Sequence, residues 1–300
     1  MSAVTVVIPV LDRERGLQRS LESVCRQTLG DWECIVVDDA STVDLRPVVT
    51  AFDDRRIRYV RRDETGGPAR ARLTAWRLAS SDYVLNCDSD WELYPWALAQ
   101  GASYLERTPE VDVASGLCLR NEDSRLFVRV GKPPRIETPT QFRTKEVVPD
   151  RVAMVRADLV RDWLTLPGDY FAFEAALWIS TSLSRSTLAL DEPWVLYHTS
   201  GLDRVSAAGS SRVGRQRYRD DATTFLRERE DLISCGPCVA VDQMLEDILF
   251  RLIRVRAPQA TLAADALRRR GVSPHRALAR QLRMRARDKI RRGEPPVFWA

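Results

Sequence analysis

The chain has 300 residues, 44% of them hydrophobic and 29% charged, with a formal net charge of +4. That length accommodates one large α/β domain with a substantial core, or two modest domains. No apolar run approaches the roughly 20 residues of a spanning helix. Met1 is followed by a strand-like pattern and then acidic residues, which does not read as a signal peptide, so a cytoplasmic location is expected.

Residues 4–9 (Val-Thr-Val-Val-Ile-Pro) are β-rich and nearly all apolar, as expected of a central parallel strand buried on both faces. Residues 14–28 carry Leu17, Leu21, Val24, Cys25 and then Leu29 at helical spacing. Trp32–Asp38 reads as a second strand running into Asp38-Asp39 and the turn-prone Ala-Ser-Thr. A helix over about 43–52, a strand at Ile57–Val60, a break at Gly66-Gly67-Pro68, a helix over about 69–80 and a strand at Tyr83–Cys87 follow. Strands and helices alternating at this spacing predict a parallel sheet with right-handed crossovers. Ligands of such sheets bind beyond the carboxyl ends of the strands, and Asp38, Asp39, Asp88 and Asp90 all fall at such ends. Asp88 and Asp90 are separated by two, so in an extended chain they project to the same side. Two hard carboxylates so placed suit Mg²⁺ or Mn²⁺ carrying a diphosphate. A pair of turn aspartates after a strand is the other reading.

A helix near 94–107 comes next, then strands at 111–119 and 125–130 around a turn at Asn121–Ser124. Val152–Arg156 reads as a strand, 157–164 and 170–182 as helices, and Leu188–Leu190 and Trp194–His198 as two short strands. From about 211 the pattern is helical: 213–232, 239–255, 259–270 and 274–292, the last opened by Ser273-Pro274 as N-cap and first turn. Residues 261–292 hold eleven Lys/Arg against Asp265 and Asp288, a local balance of +9, which leaves −5 for the other residues. Two differently charged parts are expected. In the last helix Leu278, Leu282, Ala286 and Ile290 form a narrow apolar row among arginines. Such a helix lies on an anionic membrane surface or covers the preceding domain. The basic run lacks the interleaved aromatics of a nucleic-acid surface, so no nucleic-acid partner is expected. The six cysteines suggest reduced, buried thiols. Cys235-Gly-Pro-Cys238 reads as a loop between helices, with no second Cys-x-x-Cys to complete a zinc site.

Several ordered motifs in the first 100 residues resemble one family: Val6-Val-Ile-Pro-Val, Leu21-Glu-Ser-Val…Gln27-Thr28, Asp31-Trp-Glu-Cys-Ile-Val-Val-Asp-Asp-Ala-Ser, Gly66-Gly-Pro-Ala-Arg-Ala-Arg and Cys87-Asp-Ser-Asp…Tyr94-Pro. The chain is similar to family 2 glycosyltransferases of GT-A fold, clearly to about residue 100 and more faintly to about 205. The resemblance implies a GT-A nucleotide-diphospho-sugar transferase domain over 1–205, with a nucleotide-sugar half at 1–100 and an acceptor half at 101–205. A basic helical extension would occupy 206–300. It implies inverting transfer from a nucleotide sugar, usually a UDP-sugar, with Mn²⁺ or Mg²⁺ to an acceptor hydroxyl of a polysaccharide, glycolipid or secondary metabolite.

Carried onto matching positions, Pro9, Leu11 and either Asp38 or Asp39 would hold the base, and Arg72 the base or diphosphate. Asp88 would reach ribose or metal, Ser89 would join the nucleotide-sugar contacts, and Asp90 would bind the metal. Leu11-Asp12 stands where the family often has an aromatic-Asn pair, and Arg13 would compensate by contacting the phosphates. Leu73 stands where Asn is usual. Glu174, in Phe-Glu-Ala-Ala-Leu-Trp, matches the family's general base, with Asp169 its rival and a second acceptor-side residue. His198 sits two places from the position at which relatives carry a histidine beside the metal; metal ligation and a hydrogen-bonded strand-end histidine both stay open. Trp91 would line the acceptor pocket, and peripheral membrane contact through the basic last helix stays open. A nucleotidyltransferase of related fold and a non-catalytic interaction protein are the alternatives, and the sequence leaves the oligomeric state unknown.

Overall fold

Strand β1 (Val4–Val10) is buried along its whole length. Its valines and isoleucine pack on both faces, each buried side chain contributing on the order of 1.5–3 kcal/mol. In the computed structural model, which describes residues 3–120, 133–143, 151–164, 173–198, 212–254 and 256–291, β1 is the strand about which the first hundred residues are arranged. It pairs in parallel with β2 (Trp32–Asp38) on one side and β4 (Tyr83–Asn86) on the other, and β2 pairs in parallel with β3 (Ile57–Arg61). The crossovers carry α1 (Glu14–Cys25), α2 (Arg46–Thr50) and α3 (Pro68–Leu78). After β3 the chain returns past β1 to form β4. The strand order therefore reverses between β1 and β4, and a crevice opens at their carboxyl ends.

The sheet continues through β5 (Trp91–Leu93), β6 (Val113–Arg120), β7 (Arg135–Glu137), β8 (Arg151–Arg156) and β9 (Thr187–Tyr197) in the order β3-β2-β1-β4-β8-β6-β9-β5, with β7 also on β9. Helices α4 (Ala97–Arg107), α5 (Pro139–Arg143), α6 (Ala157–Leu164) and α7 (Phe173–Ser184) accompany them. β8 runs antiparallel to both β4 and β6, so the sheet is mixed and mostly parallel among the first strands. Two expectations change here. β5 is a strand that the sequence reading passes over, because three residues are too few for a periodic signal. β9 is one strand of 11 residues where two short ones were expected. Pro193 has no N–H for the ladder, and the β6–β9 register shifts around it, between Ser115 and Cys118. The expected strand at 125–130 lies outside the described residues.

Trp194 of β9 is fully buried where two glycines make room. A Cβ on Gly116 of β6 would meet its ring at 2.2 Å, and one on Gly101 of α4 would meet it at 3.0 Å. The indole N–H donates to Gln100 Oε1 at 3.0 Å.

The chain divides into two compact units, residues 1–141 with 149–210, and residues 142–148 with 211–300. The second contains α8 (Arg212–Glu228), α9 (Glu230–Ile233), α10 (Val239–Arg254), α11 (Ala260–Arg269) and α12 (Pro274–Arg291). α10 buries Val241, Leu245, Ile248, Leu249 and Leu252 and packs against α11 and α12. The Cys235–Cys238 loop is gripped from below by Arg270, whose side chain is 4% exposed. Its guanidinium donates to the carbonyls of Ile233 (2.9 Å), Gly236 (2.8 Å) and Cys238 (3.3 Å) and to Asp242 (2.5 Å). Both cysteines are free thiols. Among the described residues no helix is long and apolar enough to cross a membrane.

Candidate functional site

The crevice at the ends of β1, β2 and β4 collects most of the charged residues singled out from the sequence. β1 ends in buried Pro9, opposite Val37, and the chain turns through half-buried Leu11 and through Asp12, whose φ of 54° lies in the left-handed region. Asp and Asn tolerate that region better than most residues, so Asp12 serves where an Asn was expected. Its carboxylate accepts the Thr42 N–H at 2.6 Å and hydroxyl at 2.8 Å, and its N–H donates to Ser41 Oγ at 2.9 Å. The loops after β1 and β2 are thereby tied together.

Asp38 and Asp39 are both deeply buried and both engaged. The Asp38 carboxylate accepts Ser41 N–H at 2.8 Å, Tyr59 O–H at 2.5 Å and Arg61 Nη1 at 2.7 Å. Burial, with the neighbouring Asp38 carboxylate, pushes the Tyr59 phenol up to about 12. Asp39 holds the loop before α3: it accepts Arg62 Nη1, Thr65 Oγ1 at 2.9 Å and the N–H groups of Gly66 and Gly67 at 2.9 and 2.6 Å. Gly67, at φ 89°, is the N-cap of α3, a conformation that L side chains rarely adopt. The carboxylate of Asp39 thus fixes the helix that carries Arg72.

Beyond β4, Cys87 N–H donates to Val7 O at 2.8 Å, which seats Asp88, Ser89 and Asp90 beside the end of β1. Arg72 Nη2 donates to Asp88 Oδ1, and Arg13 Nη1 donates to Asp90 Oδ2 at 2.7 Å. Burial first, and the Asp88 charge second, hold the Asp90 carboxyl above its ordinary range, with Arg13 working against both. The pair faces the crevice, with side chains 32% and 20% exposed for Asp88 and Asp90. Ser89 between them is buried.

What holds this loop is one face of α1 with Gln27 just beyond it, part of the Leu21-Glu-Ser-Val…Gln27-Thr28 motif, whose role the sequence did not disclose. Ser20 Oγ donates to the carbonyls of Trp91 (2.7 Å) and Asp88 (3.3 Å), and Ser23 Oγ accepts the Leu93 N–H at 3.0 Å. The Gln27 amide donates to Tyr94 O at 2.9 Å and accepts from Leu98 N–H at 3.1 Å. A turn earlier Gly16 lies so close that a Cβ there would meet the Ser89 carbonyl oxygen at 2.3 Å. Positions 16, 20 and 23 share a face of α1 and Gln27 follows just past its C-cap, and that spacing of small and polar residues beside the apolar row was the available signal. Gly16→Ala would ordinarily stabilise a helix by roughly 1 kcal/mol; against a backbone carbonyl it is expected to cost on the order of 1–2 kcal/mol net. Denaturant unfolding with a midpoint at or above wild type would show that the loop does not rest on α1.

His198 follows β9, whose register brings Tyr197 opposite Trp91. Its N–H donates to Asp90 O at 3.0 Å, while its Nε2 lies 3.0 Å from Glu92 Oε2. The backbone is therefore beside the acidic loop and the ring is engaged with Glu92. Trp91 is half-buried against the core. Glu174 is the second residue of α7; its side chain, and Asp169 altogether, lie outside the described residues.

Among the described residues no group of three or more His, Cys, Asp or Glu could hold a metal. Two carboxylates with partly exposed oxygens do fit a hard divalent ion that draws its remaining ligands from a diphosphate and water, the usual habit of Mg²⁺. The donor set suits an ion delivered with a phosphate rather than one caged by protein alone.

The sequence profile of Glycosyl transferase family 2 matches residues 5–161, just over half of the chain. The chain belongs to glycosyl transferase family 2. Relatives match over stretches of about 90 residues. The UDP-Glc:alpha-D-GlcNAc-diphosphoundecaprenol beta-1,3-glucosyltransferase WfgD of Escherichia coli is 36% identical over 87 residues, 29% of this chain and 34% of WfgD. Validoxylamine A glucosyltransferase of Streptomyces hygroscopicus subsp. jinggangensis is 41% identical over 90 residues, 29% of this chain and 21% of that protein. The chain thus spans about a third or less of these relatives' length. Two solved structures share the fold over most of the chain. TarS 1–349 of S. aureus, in complex with UDP-GlcNAc, superposes with a TM-score of 0.62 at 19% identity, covering 88% of this chain and 79% of that one. The mannosyltransferase PcManGT of Pyrobaculum calidifontis, in complex with GDP-Man and Mn²⁺, gives 0.53 at 20% identity, covering 97% and 82%. The fold is GT-A-like, as the resemblance implied.

Proposed function

We propose that the protein is a metal-dependent, inverting glycosyltransferase that moves a sugar from a nucleotide sugar, most simply a UDP-sugar, to an acceptor hydroxyl. One observation carries this reading: at the strand-reversal crevice two carboxylates and two buried arginines meet as the pairs Asp88–Arg72 and Asp90–Arg13. Arginine offers a planar fork of donors that suits phosphate oxygens, and paired carboxylates suit the divalent ion a diphosphate brings. Complexes of structural neighbours with UDP-GlcNAc and with GDP-Man and Mn²⁺ support it.

In this reading Pro9, Leu11 and the Asp38 loop cradle the base, Ser89 closes on the nucleotide sugar, and Asp88 serves ribose or ion. When bound at Asp90, Mn²⁺ or Mg²⁺ acts as a Lewis acid for the diphosphate. Arg72 and Arg13 donate to the same phosphate oxygens as negative charge collects there. Glu174 takes the proton of the acceptor hydroxyl, whose oxygen attacks the anomeric carbon from the face opposite the departing diphosphate. Trp91 and Asp169 belong to the acceptor side, and the His198 ring turns from Glu92 toward the ion.

The acceptor is proposed to be a polysaccharide, glycolipid or secondary-metabolite hydroxyl, reached at the cytoplasmic face of a membrane. WfgD acts, by its name, on a diphosphoundecaprenol-linked sugar. Leu282 of α12, 42% exposed, belongs to the narrow apolar row among arginines that a surface-lying helix would turn to a membrane.

The test is turnover. UDP-, GDP- and dTDP-sugars are incubated with the protein and Mn²⁺ without acceptor, and release of nucleoside diphosphate is followed. Slow, chelator-sensitive release from one donor class is expected; absence of release and of transfer across all donors contradicts the proposal.

A further inference from the structure

Arg13 caps the N-terminus of α1 without a side-chain cap hydrogen bond. It is 7% exposed, and its Nε–H is buried with no acceptor among the described residues. Among the described residues its ion pair is with Asp90. Asp88 is likewise matched by Arg72, so the quartet sums to zero charge: two carboxylates against two guanidiniums. A divalent ion approaching this neutral set gains little until one arginine leaves a carboxylate. Arg72 comes from α3, whose start is fastened by Asp39, and it meets the more exposed carboxylate. Arg13 holds the more buried one, on a loop with no such fastening of its own helix start, and its buried Nε–H costs about 1–3 kcal/mol until an acceptor arrives. A diphosphate supplies such acceptors, in bidentate geometry.

We infer that Arg13 is an internal counter-cation at Asp90 that a divalent ion must displace, and that the released guanidinium then passes to the diphosphate of the donor. This deepens the donor-site reading proposed above and rests on it. Ion and nucleotide then enter as a pair. The ion alone competes with Arg13, and the diphosphate rewards Arg13 for leaving. Linkage makes the effect reciprocal. A fixed structural bridge between α1 and the acidic loop predicts the opposite: losing Arg13 would loosen Asp90 and weaken ion binding.

The experiment is titration of Mn²⁺ alone, followed by the electron paramagnetic resonance of the free ion, into wild type, Arg13→Gln and Arg13→Met. Met keeps an apolar stem in the buried channel should Gln disturb folding. Each variant is first checked by circular dichroism and thermal unfolding. An opposite charge at this range alters a carboxylate's affinity for a proton by 1–3 pKa units, so nucleotide-free Mn²⁺ affinity is expected to rise about tenfold or more in both variants. UDP or GDP affinity at saturating Mn²⁺ is expected to fall about tenfold for the nucleotide that wild type binds, as loss of a charge-assisted hydrogen bond implies. Unchanged or weaker Mn²⁺ binding in folded variants overturns the inference. Failure of wild type to bind any nucleoside diphosphate overturns the donor-site reading instead, and the Mn²⁺ titration still reports on Arg13 independently.

Discussion

Asp90→Asn is expected to reduce transfer by about 10³-fold with the fold intact. A Lewis-acid contribution of several kcal/mol, at 1.36 kcal/mol per decade of rate, gives that order. The carboxamide keeps the shape of the side chain and an oxygen for Arg13 but loses the charge that retains an ion. Stability is expected to change little, because two effects oppose. Burial already holds the Asp90 carboxyl above its ordinary range, so removing its charge relieves a desolvation cost. Arg13, 7% exposed, loses its counter-charge at the same time. The loop itself rests on Ser20, Ser23 and Gly16, which the substitution leaves in place. Transfer within a few-fold of wild type would return Asp88 and Asp90 to the bland reading of two aspartates in a turn.

Glu174→Gln is expected to lower transfer by about 10²–10⁴-fold, the range of a positioned general base, while donor affinity and donor hydrolysis change far less. Gln is isosteric and still accepts a hydrogen bond from the acceptor hydroxyl, so it orients the nucleophile but cannot take its proton. The measurement is kcat for transfer alongside donor Kd and the acceptor-free hydrolysis rate. Equal loss in all three would point to a structural role at the start of α7. Full transfer activity would remove Glu174 and leave Asp169 to be tried next.

Much of this site was legible because strand ends are legible. A run such as Val4–Val10 cannot be satisfied except by burial on both faces, and the carboxylates that follow such runs in β2 and β4 must come out at one edge of a parallel sheet. Three helices of the second unit were equally plain, since α10, α11 and α12 begin and end within a residue or two of their periodic segments, whereas the one helix expected over 213–232 is broken at Arg229 into α8 and α9. What the sequence concealed was pairing. Nothing in local composition says that Asp39 spends its oxygens on the Gly66–Gly67 backbone, or that Asp90 faces Arg13 across 77 residues. Asp39 meets that loop because β2 pairs with β3, and Asp90 meets Arg13 because β1 pairs with β4. β5 was missed for a related reason: Trp91–Leu93 is a strand because β9 offers it an edge, a tertiary cause with no local signal. The α1 face of Gly16, Ser20 and Ser23 had a periodicity, but buried serines read as ordinary helix surface until their acceptors are known.

Asp90, with Asp88 beside it serving ribose or ion, is proposed to hold a divalent ion that carries the donor's diphosphate. Calorimetric titration of UDP and GDP into wild type and Asp90→Asn, each with Mn²⁺ and with a chelator, tests it most directly. Wild type is expected to bind one nucleotide with Mn²⁺ and to lose at least about tenfold in affinity, or roughly 1.4 kcal/mol, on chelation or in Asp90→Asn. Equal affinity with and without Mn²⁺ in both proteins would contradict it.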